Sequence, residues 1–275
     1  MTTNFSFFSK IITCLLVIVF IFNVYLVIKT TKLDTFNVKS TTSNHVTIQY
    51  EKNTSTILDL VKSYVEVADE KNDKMFGTEK KISLTIGLFT DFTKFSNNNL
   101  SSDVNLGYST YYQDSKKFKI NLFIRDLYTD VLNSSSKDFY NGLLHEYTHY
   151  RIADFTYRVN VNYKKIPAWF NEGISVYNSE LKLSMPNKII DFNQLSTNEQ
   201  WNENYTPPYN SYSQSYYAID YLVRIKGINV VSDIIMDLNH LDFNDSFKLS
   251  TGKTIAEFQK ELLTSYGSNY QRIQP

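Results

Sequence analysis

The sequence His145-Glu146-Tyr147-Thr148-His149 lies near the middle of a chain of 275 residues. On a helix, residues four apart lie on one face, so the imidazoles of His145 and His149 can both reach one metal ion. Glu146 is rotated by about 100° around the helix, beside the ion, where its carboxylate can accept a proton from a water molecule. Because neutral imidazoles hold the ion while a separate carboxylate acts as a base, the segment predicts a catalytic metal site on a helix.

Histidine is scarce in the chain, and its distribution favours the metal interpretation. Two of the four histidines stand at this spacing with a glutamate between them. The alternative is that His145 and His149 are ordinary helix residues that pack beneath a sheet. The remaining histidines, His45 and His240, have no such neighbours in the sequence and are expected to lie at the surface.

A third protein ligand is expected, because a catalytic zinc site has three protein ligands and one open position. The segment Pro-Ala-Trp-Phe-Asn-Glu-Gly at residues 167–173 supplies a carboxylate, Glu172, on a second predicted helix. The alternative for Glu172 is a solvated helix carboxylate or a cap for the preceding turn. The two helices together predict a metal site formed by His145, His149 and Glu172.

These two segments resemble the gluzincin zinc metallopeptidases, and in particular the peptidase MA-like branch, in which HExxH precedes a Trp-x-x-Glu-Gly segment. Residues 145–150 are also similar to the active helix of bacterial collagenases of the clostridial type. The resemblance extends over residues 46–266 in the order of the predicted elements. It implies a thermolysin-like α+β catalytic domain that hydrolyses peptide bonds.

The resemblance implies a role for each residue of the site. His145, His149 and Glu172 would be the zinc ligands, and Glu146 would be the general base and proton shuttle. In the family, a tyrosine on the helix after the third ligand often donates a hydrogen bond to the oxyanion. Tyr212 matches that tyrosine best by position, and packing in the core is its alternative role.

One position departs from the thermolysin type, which has an aspartate four residues after the third ligand to orient a ligand histidine. Here that position is Val176. Groups that hydrogen-bond to metal ligands fix their tautomer and basicity, so another group must orient the histidine. We expect a backbone carbonyl in this role.

Apolar patterning predicts a mixed sheet in the first half of the chain and helices in the second, which describes an α+β domain. The predicted strands cover residues 45–50, 81–89, 104–113 and 117–124, the last two forming a hairpin. The predicted helices cover residues 54–71, 136–155, 167–179, 212–225, 228–238 and 254–266. Thr54 or Ser55 is expected to cap the first helix and a serine the second, while Gly77 and Gly227 are expected to end helices.

Residues 11–28 contain no charged side chain and one strongly polar one, Asn23, and are long enough to cross a membrane as a helix. A cleaved signal peptide is the alternative, but it should have a shorter apolar region that ends in an Ala-x-Ala-like site. We therefore expect residues 1–10 to be a short head, 11–28 an uncleaved anchor, 29–44 a linker and 45–275 the metallopeptidase domain. The expected location is the cell membrane, crossed once, with the catalytic domain outside the cytoplasm.

The charge balance of the chain argues against a nucleic-acid partner. Lys and Arg total 28, as do Asp and Glu, so no net positive charge attracts phosphates. The single cysteine, Cys14, lies in the apolar segment, so no intramolecular disulfide can form. A peptide or protein substrate and a membrane are the expected partners.

The sequence thus predicts a membrane-anchored zinc peptidase in which Glu146 activates water for attack on a peptide carbonyl. The strand over residues 104–113 is expected to form the sheet edge along which an extended substrate pairs. Two alternatives remain: a zinc hydrolase of a non-peptide amide, and a membrane-anchored binding protein with a non-catalytic zinc site. Glu146 argues against the binding protein, because a structural zinc site needs no base.

Overall fold

The computed structural model describes residues 39–97, 107–112, 117–124, 137–181, 183–186 and 188–270. The chain divides into two units, and apart from Lys39 the described residues belong to the second, which comprises residues 40–275. The predicted head and anchor, residues 1–28, lie outside the described residues. Among the residues that are described, no helix has the length and apolar character needed to span a membrane.

The predicted α+β class is confirmed, since a mixed five-stranded sheet precedes a largely helical second half. The strands are β1 Lys39–Ser43, β2 Val46–Tyr50, β3 Ser83–Phe89, β4 Gly107–Tyr112 and β5 Lys117–Phe123. Their order across the sheet is β1-β2-β3-β5-β4. Strands β2, β3 and β5 are parallel, whereas β4 runs antiparallel to β5, which confirms the predicted hairpin and places β4 at an edge.

Strand β1 lies within residues 29–44, for which the sequence predicted a linker. Its sequence, Lys-Ser-Thr-Thr-Ser, has no apolar alternation, so periodicity did not indicate a strand. The chain reaches β2 through a tight turn at Asn44, whose φ of 51° lies in the left-handed region that asparagine tolerates. Backbone hydrogen bonds to β2, rather than a buried apolar face, therefore hold β1.

The helices of the described residues are α1 Leu58–Phe76, α2 Phe92–Asn97, α3 Asp138–Arg158, α4 Ala168–Asn178, α5 Asn198–Asn202, α6 Ser211–Lys226, α7 Asn229–Asp237, α8 Phe243–Thr251 and α9 Ile255–Tyr270. Six of them correspond to the predicted helices. The short α2 and α5 were not predicted, because so few turns do not establish a helical period. Helix α8, which is as long as the predicted α7, was also missed. Local signals were present at two of them: Thr197 and Gln200 form a capping box at α5, and Asp242 caps α8.

The predicted threonine and serine caps are wrong, whereas the predicted glycine stops are confirmed. Helix α1 has Ile57 at its N-cap, and the Thr54 hydroxyl donates instead to the carbonyl three residues earlier. Helix α3 has Lys137 at its N-cap, without a side-chain hydrogen bond. Gly77 and Gly227 end α1 and α6 with φ angles of 81° and 84°, which L side chains rarely adopt.

Two apolar clusters hold the elements together. The first lies between the sheet and helices α1 and α3, and includes the alternating side chains Leu84, Ile86 and Leu88 of β3. The second is formed mainly by the helices that follow α3, and at its centre the buried Trp169 packs against several phenylalanine rings. Helix α3 contributes side chains to both clusters, so the segment with the two histidines is packed on two sides.

A buried charged cluster joins α1 to the face of α3 opposite His145 and His149. Arg151 is fully buried, and its guanidinium donates to Asp69 Oδ1 at 3.0 Å and to the Gly77 carbonyl at 2.7 Å. The Tyr147 hydroxyl donates to the same Asp69 oxygen at 2.6 Å. Tyr147, between the two histidines, therefore anchors α3 to α1.

His45 contacts this cluster and is only partly exposed, whereas the sequence predicted a surface residue without partners. Its Nε2 atom lies 3.3 Å from the Tyr147 hydroxyl, and its ring stacks on that of Tyr150 with centroids 5.9 Å apart. These partners come from α3, far away in the sequence, which local patterning does not reveal. His240 is exposed, as expected.

Candidate metal centre

Helices α3 and α4 bring three candidate ligand atoms together. His145 and His149 lie one turn apart on α3, and Glu172 lies on α4. The Nε2 atoms of the two histidines are 3.1 Å apart, and Glu172 Oε2 lies 3.3 Å from His145 Nε2 and 3.5 Å from His149 Nε2. Among the described residues, these three form a group that can hold a metal ion.

The three separations fit a single tetrahedral ion. Nitrogen and oxygen ligands lie about 2.0–2.2 Å from Zn²⁺, so two ligand atoms of a tetrahedral site are about 3.3–3.6 Å apart. The observed separations run from 3.1 to 3.5 Å. One ion can therefore contact all three residues with little movement, and the geometry does not itself select the metal.

The charges of the site depend on one another. Burial would lower the pKa of His149, but the carboxylates of Glu172 and Glu146 raise it to about 9. Burial would raise the pKa of the Glu172 carboxyl, but His149 and His145 hold it well below its usual range. Without a metal ion, His149 is therefore protonated at neutral pH, and a binding cation must displace that proton.

The second ring nitrogen of His149 is held by side chains of α4. Its Nδ1 atom lies 3.1 Å from the Ser175 hydroxyl and 3.4 Å from Oδ1 of Asn171. The Ser175 hydroxyl donates to the Asn171 carbonyl, so it accepts a hydrogen bond from His149 Nδ1–H. In the neutral imidazole, this bond places the proton on Nδ1 and leaves Nε2 available to an ion.

Side chains, rather than the expected backbone carbonyl, orient His149. Val176, at the position where thermolysin-type enzymes have an aspartate, is fully buried. Sequence reasoning missed Ser175 and Asn171, although both lie on the same predicted helix as Glu172. A signal was available for Ser175 alone, because a residue three positions from a ligand on a helix lies beside it, whereas an adjacent residue such as Asn171 points in another direction.

Tyr163 extends this arrangement by a further hydrogen bond. Its hydroxyl donates to Asn171 Oδ1 at 3.1 Å. Burial raises the pKa of Tyr163, and the Asn171 bond only partly offsets that effect. The hydroxyl therefore stays protonated at neutral pH and fixes the orientation of the Asn171 carboxamide.

Glu146 is partly exposed on α3, directly after His145. Its carboxylate is close enough to raise the pKa of His149, Tyr163 and Tyr212, in each case after larger effects that include burial and Glu172. The predicted base is therefore a near neighbour of the candidate ligands.

Tyr212, at the start of α6, lies beside the same group. Its ring centroid is 6.2 Å from that of His145, and its ring packs edge-on against Trp201 at 4.3 Å. Burial, Glu172 and Glu146 raise the pKa of Tyr212, so its hydroxyl stays protonated at neutral pH and can donate. Its role as a donor to an oxyanion stays a prediction.

Comparison with known proteins gives little functional information. No protein-family model matches the chain. Over 133 residues, or 46% of the chain, it is 29% identical to the uncharacterized protein YhcO of Bacillus subtilis (strain 168), and it covers 41% of that protein's length.

Proposed function

We propose that the chain is a zinc-dependent peptidase of the gluzincin type. The observation that carries the proposal is the convergence of His145 Nε2, His149 Nε2 and Glu172 Oε2, with separations of 3.1 to 3.5 Å. Two imidazoles and one carboxylate are the protein ligands of many catalytic zinc sites, whereas structural sites are usually rich in cysteine and closed by a fourth protein ligand. Three ligands leave one position for water or a substrate oxygen.

Glu146 is the proposed general base. A zinc ion at this site would lower the pKa of a water molecule and polarise the substrate carbonyl. The Glu146 carboxylate takes a proton from the attacking water and later transfers it to the leaving amine. Its nearness to His149 supports this role, because a base must lie within reach of the water that occupies the open position.

Tyr212 is the proposed donor to the oxyanion. The substrate carbonyl oxygen gains negative charge as water adds, and a hydrogen bond aimed at that oxygen stabilises the transition state more than the ground state. The position of Tyr212 supports this role, because its ring centroid lies 6.2 Å from that of His145, one of the proposed ligands.

The sheet edge supports a peptide rather than a small amide as the substrate. Strand β4 pairs with β5 on one side, and no described strand pairs with its other side. An extended peptide can add to such an edge through backbone hydrogen bonds. Helix α3 packs against β4, so a peptide on this edge would lie close to the helix that carries Glu146.

Glu146→Gln tests the proposal, with Glu180→Gln as its control. Glutamine keeps the shape of the side chain and leaves all three ligands, so we expect zinc to stay bound. Hydrolysis of a mixed peptide pool should fall by about 10²–10⁴-fold, because the amide cannot accept the proton. Glu180 pairs with Lys71 of α1 rather than with a ligand, so Glu180→Gln should keep wild-type activity.

The possible results separate the proposal from its rivals. Peptide cleavage that survives both Glu146→Gln and removal of the metal by a chelator would exclude the zinc site as the catalyst. A wild-type protein that retains zinc but cleaves no peptide would favour the binding protein. Chelator-sensitive hydrolysis of small amides without peptide cleavage would favour the non-peptide hydrolase.

A further inference from the structure

Asn72 of α1 connects the two helices that carry the candidate ligands. Its Nδ2 atom donates to the Thr148 hydroxyl of α3 at 3.3 Å and to the Ala68 carbonyl at 2.9 Å. Its Oδ1 atom accepts from Asn178 Nδ2 of α4 at 3.1 Å. One carboxamide thus links α3 to α4 through α1, and both of its N–H groups and its oxygen are used.

The position of Asn72 calls for an explanation, because it interrupts an apolar surface. The other buried side chains of α1 are apolar: Val61, Val65, Ala68, Met75 and Phe76. Asn72 is only 1% exposed, and a buried polar group destabilises a protein unless its hydrogen bonds are made. An apolar residue at this position would pack without needing hydrogen-bond partners. The presence of a carboxamide is therefore better explained by the hydrogen bonds that link α3 and α4.

The two partners of Asn72 lie on the helices that carry the ligands, one beside a ligand and the other six residues along the helix from one. Thr148 directly precedes His149 on α3, and Asn178 is the last residue of α4, which also carries Glu172. Thr148 and Asn178 are both buried. The Thr148 hydroxyl donates to the Leu144 carbonyl, so it accepts the hydrogen bond from Asn72.

These contacts restrict the rotation of α3. Successive residues leave a helix about 100° apart, so Thr148 and His149 form bonds in different directions. Thr148 bonds to Asn72, and His149 bonds to Ser175 of α4. A rotation of roughly 10° would move an atom about 5–6 Å from the helix axis by about 1 Å, well beyond the roughly 0.2 Å tolerance of a metal–ligand distance.

We infer that Asn72 is a positioning residue for the metal centre, holding α3 and α4 at the separation at which His145, His149 and Glu172 reach one ion. The inference rests on the proposed zinc site. Asn72 contacts neither the ligands nor the proposed base, and acts through Thr148 and Asn178. Its removal should therefore change how a bound metal is coordinated, and not only how stable the protein is.

The test compares Asn72→Ala and Thr148→Val with Thr156→Val in the full-length protein. Thr156 is the matched control, because it is buried on the same helix and its hydroxyl also donates to a backbone carbonyl, that of Ala153. Zinc affinity is measured by competition with a chromophoric chelator. The visible absorption spectrum of the protein saturated with Co²⁺ reports coordination geometry independently of activity.

We expect Asn72→Ala to lower zinc affinity by about 10-fold, the lower end of the effect of removing a group bonded directly to a metal ligand, because Asn72 acts through Thr148 and Asn178. Thr148→Val should lower zinc affinity in the same direction, and both variants should alter the Co²⁺ spectrum. Thr156→Val should match the wild type in both measurements. If Asn72→Ala does not fold, the comparison of Thr148→Val with Thr156→Val decides the question.

Two results would overturn the inference while leaving the zinc site in place. One is wild-type zinc affinity and an unchanged Co²⁺ spectrum in folded Asn72→Ala and Thr148→Val. The other is an equal loss of affinity in Thr148→Val and Thr156→Val, which would report general loosening of α3. Failure of the wild-type protein to bind zinc would instead refute the proposed function.

Discussion

Tyr212 and Tyr216 have the same side chain but different surroundings, so only one of them is a candidate hydrogen-bond donor to an oxyanion. They lie one turn apart on α6, and the sequence places both on one face of that helix. Tyr212 lies beside His145, whereas Tyr216 packs against other tyrosines. After burial, the charges that raise the pKa of Tyr212 are Glu172 and Glu146, whereas Tyr216 responds to Asp220. The family resemblance already favoured Tyr212, and the structure adds the contact with His145 that distinguishes it from Tyr216 at the candidate centre.

Tyr212→Phe should slow peptide hydrolysis by about 10²–10³-fold, the usual effect of removing one hydrogen-bond donor to an oxyanion. Zinc content should stay at the wild-type level, because the hydroxyl is not a proposed ligand. Tyr216→Phe is the control on the same helix and should keep wild-type kcat. Equal kcat values for the wild type and Tyr212→Phe would show that the Tyr212 hydroxyl takes no part in catalysis and that the residue only packs in the core.

The helices and strands that form the centre were predictable where their apolar period is long. Helix α6 and strand β3 were predicted from apolar spacing, whereas α4 was predicted from Pro167 near its first turn. On α3, the spacing of four sets the two histidines on one side, although the helix is buried almost all round over its second half. The N-cap of α3 was not predicted correctly, because Lys137 makes no side-chain hydrogen bond to the helix. The groups that orient His149 were also missed, because their contacts cross between helices.

The contact between α1 and α3 predicts a large loss of stability for Arg151→Met. The Arg151 guanidinium is fully buried, forms ion pairs with Asp69 and Asp73, and donates a hydrogen bond to the Gly77 carbonyl. Removing one partner of a buried ion pair costs about 3–5 kcal/mol when the other charge stays buried and unpaired. Asp69 and Asp73 are partly exposed and keep Lys81 as a partner, so we expect a loss near the lower end of that range. The free energy of unfolding from urea denaturation measures this loss.

Lys74→Met provides the control on the other side of α1. Lys74 forms an exposed pair with Glu70, and such surface pairs contribute about 0–1 kcal/mol. A free energy of unfolding for Arg151→Met that matches Lys74→Met would show that the buried cluster does not anchor α3.

At the scale of the whole molecule, one α+β unit carries every residue of the candidate centre. The sheet and the helices after it were predictable as a class, because strand and helix periods occupy different halves of the sequence. Strand β1 was not predictable from the sequence, since its residues show no apolar alternation. The predicted anchor lies outside the described residues and stays a prediction from the sequence.

We expect the full-length chain to fractionate with membranes and a variant without residues 1–29 to be a folded soluble protein. The apolar segment at residues 11–28 supplies the length that a bilayer requires. The C-terminal unit should be accessible to added protease in intact cells. A mature protein that begins near residue 30 would favour a cleaved signal peptide, and protection from the protease would refute an extracytoplasmic location.

Metal analysis of the purified protein and its ligand variants is the decisive measurement. We expect close to one zinc ion per chain in the wild type and none in His145→Ala or His149→Ala, since two remaining ligands do not hold a tetrahedral site. Glu172→Gln should retain less zinc while keeping its fold, and His240→Ala, which alters an exposed histidine, should retain all of it. Full zinc occupancy in both His145→Ala and His149→Ala would contradict the assignment of the centre.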